Sequence, residues 1–177
     1  MTPVAGMLLV ASPQLSDPNF VRTVVYLLDH GDNGTLGFVL NRPLEVPLSE
    51  LWGEVPEQLA GLRVAAEGGP VVRHKGLLVH RCIDLSGAQL LSEGFAIGGD
   101  LDALAKRFAS GCDEHGPRLF LGHSGWAPGQ LLAELEEGAW LLRSGRPEQL
   151  LNPQPALGLW QQLVEGRGGG TPDPSLN

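Results

Sequence analysis

The chain has 177 residues, of which 42% are hydrophobic and 18% are charged, so it contains enough apolar material for the core of one domain of ordinary size. Its formal net charge of −8 disfavours direct binding of DNA or RNA, which depends on an excess of Lys and Arg. No apolar stretch approaches the ~20 residues that a membrane span needs, so we expect no membrane association.

The compartment is predicted from the cysteines and from the start of the chain. Cys82 and Cys112 are too few and too widely spaced to form a disulfide framework, which is typical of the reducing cytosol. The apolar run from Met7 to Ala11 is too short for a signal peptide, and no basic residue precedes it. We therefore expect a cytoplasmic protein.

The first elements along the chain are predicted to be strands. Gly6 to Ser12 is a short apolar run that indicates a buried strand, and Asp17-Pro18-Asn19 indicates a turn. Val21 to Asp29 and Thr35 to Asn41 are rich in β-branched residues. The Asn-Gly pair that lies between them predicts a β-hairpin, because Asn and Gly tolerate positive φ.

The remaining elements are predicted from apolar runs, helix caps and turn residues. Strands are expected at 62–66, 75–82, 118–122 and 139–143, and helices at 48–55, 100–111, 130–137, 147–151 and 157–164. The segment from Phe95 to Gly99 matches neither a strand nor a helix pattern clearly. Runs of strands with unevenly placed helices favour a single α+β domain over residues 1–165, with a flexible Gly/Pro-rich tail over residues 166–177.

The Gly122-His123-Ser124-Gly125-Trp126 segment, between a predicted strand and a predicted helix, is the most hydrolase-like feature. Trp126 occupies the position of the final glycine of a nucleophile elbow, and no histidine follows His123 to serve as a base. We therefore predict a strand-to-helix turn in which Ser124 caps the helix and Trp126 packs. The alternative is a hydrolase or transferase that uses Ser124 or His123.

Metal and cofactor sites are not predicted. His74, His80 and Cys82 lie close together in sequence, as do Cys112 and His115, but neither group has the spacing of a structural zinc site. Two glycine pairs, in Gly68-Gly69-Pro70 and Gly98-Gly99-Asp100, match no phosphate-binding motif and are interpreted as turns.

A set of polar residues is expected to meet at the base of the hairpin, where an Asp–Arg pair would orient the preceding turn. The alternative is a polar pocket. The set consists of Asp17, Asn19, Arg22, Asn41 and Arg42.

Four blocks of sequence in this order resemble the YqgE/AlgH family. They are Gly6 to Val25 with Asp17-Pro18-Asn19-Phe20, the HGDNGTLGFVLNRPL segment at 30–44, Gly68-Gly69-Pro70-Val71, and Leu121 to Leu131 followed by Glu134 and Trp140-Leu141. Glu67, His123 and Ser124 depart from residues that are common in the family. The resemblance implies an α+β domain with a coiled, mixed and largely antiparallel sheet flanked by helices, in a bacterial cytosolic protein. It implies no established reaction and no catalytic residues, only a name associated with transcriptional regulation.

We therefore predict a non-enzymatic cytosolic regulatory or binding protein that acts through a protein or small-molecule partner. Its expected contact residues are the polar set at the hairpin base together with His123 and Ser124. A DNA-binding transcription factor is a further alternative, which the net charge disfavours.

Overall fold

The predicted hairpin is present, and it continues an antiparallel sheet that begins with the first apolar run. Strands β1 (Leu8–Ala11), β2 (Val24–Gly31) and β3 (Gly34–Val39) pair in order along the chain. Gly34 has φ 116°, and a Cβ atom there would lie 2.5 Å from the carbonyl oxygen of Trp126. Glycine is therefore required both by the turn and by the neighbouring strand.

The computed structural model describes residues 2–42, 64–90, 94–109, 118–146 and 156–166. The helices predicted at 48–55 and 147–151, the pair of Cys112 and His115, and nearly all of the predicted tail lie outside the described residues. The remaining elements are β4 (Val64–Glu67), β5 (Val71–His80), β6 (Gln89–Leu90), β7 (Ala96–Ile97), α1 (Leu101–Ala109), β8 (Arg118–Trp126), α2 (Gln130–Glu136), β9 (Trp140–Arg143) and α3 (Ala156–Val164).

The described strands form one nine-stranded sheet in the order β6-β7-β5-β8-β3-β2-β1-β9. Strand β4 lies off this path and runs parallel to β8, whereas the other described pairs are antiparallel. This confirms the α+β class and the mixed, largely antiparallel sheet.

Strand β8 joins the two halves of the sheet. Its first part pairs with β4 and β5, and its last part, Ser124 to Trp126, pairs with β3. Gly122 lies between these parts with φ 71°. Phe120 and Trp126 consequently pack in different apolar clusters although they are an even number of residues apart.

Helices cover both faces of the sheet around β1, and this explains why all four residues of that strand are buried. On one face, Leu8 and Val10 share an apolar cluster with Leu159 of α3. On the other, Leu9 shares a cluster with Leu131 of α2. Strand β1, which lies next to the edge strand β9, is thus apolar throughout instead of alternating.

Helix α1 begins where the sequence predicts. The Asp100 carboxylate accepts hydrogen bonds from the backbone N–H groups of Asp102 and Ala103, at 3.0 and 3.2 Å. Leu104 of this helix packs against Leu119 of β8 in a third apolar cluster. An N-cap of this kind typically stabilises a helix by about 1 kcal/mol.

The predicted end of the strand at Gly122 is wrong. His123 to Trp126 continue β8 as extended backbone because β3 supplies hydrogen-bonding partners for Ser124, Gly125 and Trp126. Strand β5 likewise begins at Val71, before the predicted start at Lys75, and the ambiguous segment after Phe95 contains β7.

None of the helices in the described part of the chain has the length and apolar character that a membrane crossing requires.

Candidate functional site

The structure brings the predicted polar set together at the base of the hairpin. Asn41, which is only 7% exposed, uses both ends of its amide. Its Oδ1 accepts a hydrogen bond from the Val24 N–H at 2.8 Å, and its Nδ2 donates one to the Arg22 carbonyl at 2.8 Å. Asn41 thus fixes the entry of β2 against the end of β3.

The turn before β2 is held by backbone contacts. The Asp17 carboxylate accepts a hydrogen bond from the Asn19 N–H at 2.8 Å, and Arg42 Nη1 donates to the Asn19 carbonyl at 2.7 Å. Among the described residues, Asp17 forms no ion pair with Arg22 or Arg42. The expected Asp–Arg pair is therefore wrong: the Asp17 carboxylate and the Arg42 guanidinium bond to the backbone of the turn, and the Arg22 guanidinium lies over Trp160.

Arg22 has an unusual backbone conformation for its residue type, with φ 55°. Its guanidinium lies 5.8 Å from the ring centre of Trp160, whose indole N–H donates to the Ala11 carbonyl at 2.8 Å. A non-glycine residue in this region carries backbone strain of roughly 1–2 kcal/mol. The contacts of Asn41 and Trp160 hold the segment in place against that strain.

Ser124 does not occupy a nucleophile elbow. It lies inside β8, is fully buried, and donates a hydrogen bond to the Gly68 carbonyl at 3.0 Å. The backbone beside it is packed against the Gly68-Gly69 pair: a Cβ atom at Gly69 would lie 2.4 Å from the Ser124 hydroxyl oxygen. The prediction that Ser124 caps a helix is also wrong, because α2 begins after Gly129.

Trp126 packs as predicted, in an aromatic cluster with Phe20 and Trp140. The ring centres of Trp126 and Trp140 are 5.8 Å apart, and both rings also contact Phe20. The carboxylate of Glu134 accepts hydrogen bonds from both indole N–H groups, at 3.2 and 2.9 Å. The C-terminal motif residues Trp126, Glu134 and Trp140 therefore form one structural unit.

His80 is buried with both ring nitrogens in use. Its Nδ1 accepts a hydrogen bond from the Cys82 N–H at 3.1 Å, which leaves Nε2 to donate to the Gly98 carbonyl at 2.7 Å. Within the described residues, no group of three or more His, Cys, Asp or Glu side chains is arranged to hold a metal ion.

A cleft of about 360 Å³ opens on the sheet beside the hairpin turn. The register places Asp29, Leu36 and Gly125 opposite one another on three adjacent strands, and His123 opposite Val71 on the next pair. These five residues line the cleft, together with Asn33, Gly34, Thr35 and Trp126.

A β-bulge puts Asp29 in the cleft. Leu27 pairs with Gly37 and Asp29 pairs with Leu36, so Leu28 has no counterpart on β3. Regular alternation would have placed Asp29 on the same face as Leu27, which shares an apolar cluster with Leu131 of α2. The sequence contains no signal for this bulge, so sequence reasoning identified His123 but missed Asp29, Asn33, Thr35 and Val71.

The lining of the cleft combines polar and apolar side chains. Leu36 is half-buried and Val71 is 38% exposed. Thr35 shares a hydrogen bond of 2.6 Å with His30 Nδ1, and this contact fixes the edge next to the turn. No described residue donates a hydrogen bond to the Asp29 carboxylate. Apolar side chains together with a few polar groups are the usual composition of a small-molecule site.

The fold defines the protein's class as a curled-sheet α+β domain, and an open cleft lies beside its first hairpin. The family model described as AlgH-like matches residues 8–171, so the chain belongs to the AlgH-like family.

Curated relatives match over nearly the whole chain. A UPF0301 protein from Streptomyces coelicolor is 36% identical, with 98% of this chain and 95% of the relative covered. One from Thermobifida fusca is 34% identical, with 98% and 96% covered.

Two solved structures share the fold. The AlgH protein from Pseudomonas aeruginosa superposes with a TM-score of 0.68 at 30% identity, covering 90% of this chain and 87% of that one. A protein from Corynebacterium diphtheriae superposes with a TM-score of 0.70 at 25% identity, covering 97% and 91%.

Proposed function

We propose that this protein is a non-enzymatic, cytoplasmic binding protein, and that the cleft beside the first hairpin is where it takes a small-molecule partner. The observation that carries the proposal is that the protein's polar side chains divide into those bonded within the fold and one that lines the open cleft. Asn41, Arg42 and Ser124 are engaged by the fold itself, whereas the Asp29 carboxylate faces an open cleft and has no described donor.

The same division argues against hydrolysis by Ser124. A nucleophilic serine needs an accessible hydroxyl next to a base, whereas this hydroxyl is fully buried and donates to the Gly68 carbonyl. We expect no Ser124-dependent labelling by a fluorophosphonate probe. A turnover that one point substitution abolishes would contradict the non-enzymatic proposal.

A regulatory role, which the family resemblance suggests, fits a ligand-binding protein that acts on transcription indirectly. The net charge of −8 opposes direct contact with DNA. Binding of a small molecule would instead affect transcription through a partner protein.

Gly125 allows the cleft to be blocked without disturbing the sheet. A Cβ atom at Gly125 would have only the Thr35 carbonyl oxygen near it, at 3.9 Å, so Gly125→Val should fill the cleft while remaining compatible with a strand. Gly31→Val is a matched control: Gly31 is also exposed in a strand, its Cβ would meet nothing within 4 Å, and it does not line the cleft.

The test is recovery of bound compounds from the small-molecule fraction of bacterial cytosol, measured by mass spectrometry after gel filtration. We expect a compound retained near stoichiometry by the wild type and by Gly31→Val, and lost in Gly125→Val. Retention of nothing by the wild type, or equal retention by all three proteins, would overturn the proposed site. Melting curves of the three proteins establish that they are equally folded.

A further inference from the structure

We propose that the cleft recognises a small ligand that carries a cationic amine on a short apolar body. Asp29 is the counter-ion of the amine, and Leu36 and Val71 lie under the carbon chain. This inference rests on the proposed binding function and specifies the chemical class of the ligand.

The first argument is the state of the Asp29 carboxylate. It is exposed, it lines the cleft, and no described residue donates a hydrogen bond to it. An ionised carboxylate only accepts hydrogen bonds, so its full capacity is available to a donor in the cleft. An ammonium group brings three donors and the opposite charge, and hydrogen bonds between ionised partners are the stronger kind.

The second argument is the arrangement of the side chains that line the cleft. Asp29, Leu36 and Gly125 form one row across three strands, and glycine leaves the third position of that row without a side chain. The resulting gap lies between Leu36 and the pair of His123 and Val71. A short aliphatic chain would cover the side chains of Leu36 and Val71 while its charged end contacts Asp29.

The third argument is electrostatic. Among the described residues that line the cleft, Asp29 is the only Asp, Glu, Lys or Arg. The chain as a whole carries a net charge of −8, so the long-range field also favours cations over anions. Asn33 and His123 are further lining residues whose side chains carry polar nitrogen atoms.

The test compares three probes of nearly the same size and shape: isopentylamine, isopentanol and isovalerate. Each is titrated into uniformly ¹⁵N-labelled full-length protein, and amide chemical shifts are followed. We expect isopentylamine to shift the amides of Asp29, Leu36 and Gly125, and to bind about three- to fivefold more tightly than isopentanol, because Asp29 is exposed and an exposed ion pair contributes only about that factor. Isovalerate should not saturate these shifts.

A matched pair of variants isolates the carboxylate. Asp29→Asn removes the charge with almost no change in volume and should weaken isopentylamine about three- to fivefold, the factor that an exposed ion pair contributes. Asp32→Asn makes the same change in the neighbouring turn, outside the cleft lining, and should alter the affinity less than about twofold, as expected for an exposed charge that makes no contact. The comparison of probes on the wild type needs no variant and stands even if Asp29→Asn folds poorly.

The outcomes separate the ligand class from the proposed function. If isovalerate or isopentanol shifts the cleft amides more than isopentylamine does, the amine class is wrong and the cleft remains a binding site. Undiminished binding of isopentylamine by Asp29→Asn would refute the counter-ion role. If no probe shifts the cleft amides and no cytosolic compound depends on Gly125, the proposed function fails as well.

Discussion

At the residue scale, the side chain of Asn41, which follows β3, bonds to the backbone at the start of β2. Its amide accepts from the Val24 N–H and donates to the Arg22 carbonyl, and it is almost completely buried while doing so. Water cannot replace either contact at a buried position, so removal of the amide would leave two unsatisfied backbone groups.

We therefore expect Asn41→Ala to lower the free energy of unfolding by about 2–4 kcal/mol, since each buried group left without a partner costs roughly 1–3 kcal/mol. Urea denaturation followed by circular dichroism measures this change. Glu136→Ala, at an exposed position of α2, is the control and should stay within about 0.5 kcal/mol of the wild type. Equal stability of the two variants would contradict the assigned role of Asn41.

At the scale of elements, the Gly-Gly-Pro-Val motif is explained by the contact between the β4–β5 connection and β8. The Gly68 N–H donates to the Leu121 carbonyl at 2.7 Å, and the Val39 N–H donates to the Gly68 carbonyl at 2.8 Å. The connection therefore lies directly on the backbone of β8, at the point where β8 changes partners. Only a residue without a side chain fits there.

Gly69→Ala tests this packing. The added Cβ would lie 2.4 Å from the carbonyl carbon and oxygen of His123, and backbone atoms cannot move aside cheaply. We expect a loss of more than about 3 kcal/mol, or failure to fold, as for other severe overpacking. Gly98→Ala is the control, because Gly98 also has positive φ but a Cβ there would meet nothing within 4 Å. Gly98→Ala should lower the free energy of unfolding only by the roughly 1–2 kcal/mol of backbone strain that a non-glycine residue has in the left-handed conformation. Thermal unfolding of both variants distinguishes the two effects.

A second element-scale prediction concerns the ion pair between Asp84 and Arg107, which links the segment after β5 to helix α1. The two-pronged hydrogen bond from the Arg107 guanidinium lowers the pKa of the Asp84 carboxyl below its usual value of 3.8. A carboxyl whose pKa is lowered by folding stabilises the folded state above its unfolded pKa, and this contribution disappears as the pH falls through the folded pKa.

The wild type should therefore be slightly more stable than Asp84→Asn at neutral pH, and the difference should vanish in acid below the usual carboxyl range. Both side chains are substantially exposed, so the difference will be small and sensitive to salt. Denaturation midpoints between neutral pH and strong acid measure it, with Asp32→Asn as a control that lacks an ion pair among the described residues. If the wild type remains more stable than Asp84→Asn in strong acid, the difference in stability does not come from the ion pair.

At the scale of the whole molecule, the acidic net charge makes a prediction about nucleic acids. A protein that bound DNA directly would lose affinity steeply between about 50 and 200 mM salt, because binding releases counterions from the phosphates. We expect no saturable binding of duplex DNA in fluorescence anisotropy at about 50 mM salt, even at roughly 100 μM protein. Tight binding that weakens with salt would instead indicate a direct transcription factor.

Much of the architecture follows from local patterns in the chain. The hairpin is encoded by an Asn-Gly pair between β-branched runs, α1 by the cap at Asp100, and the burial of β1 by four consecutive apolar residues. The order of the motif blocks also identifies the family, which the match over residues 8–171 confirms. The hairpin turn, the helix cap and the apolar run are each formed by residues adjacent in sequence, and the motif blocks are present in the sequence itself, so the sequence by itself indicates these features.

The candidate site was decided only by tertiary structure. Whether Ser124 ends a strand or continues it depends on β3 arriving to pair with it, and β3 lies far away in sequence. Asp29 reaches the cleft because one residue of β2 bulges out of register, and Val71 joins it from a third part of the chain. Pairing between distant strands sets which side chains share a face, and no local pattern carries that information.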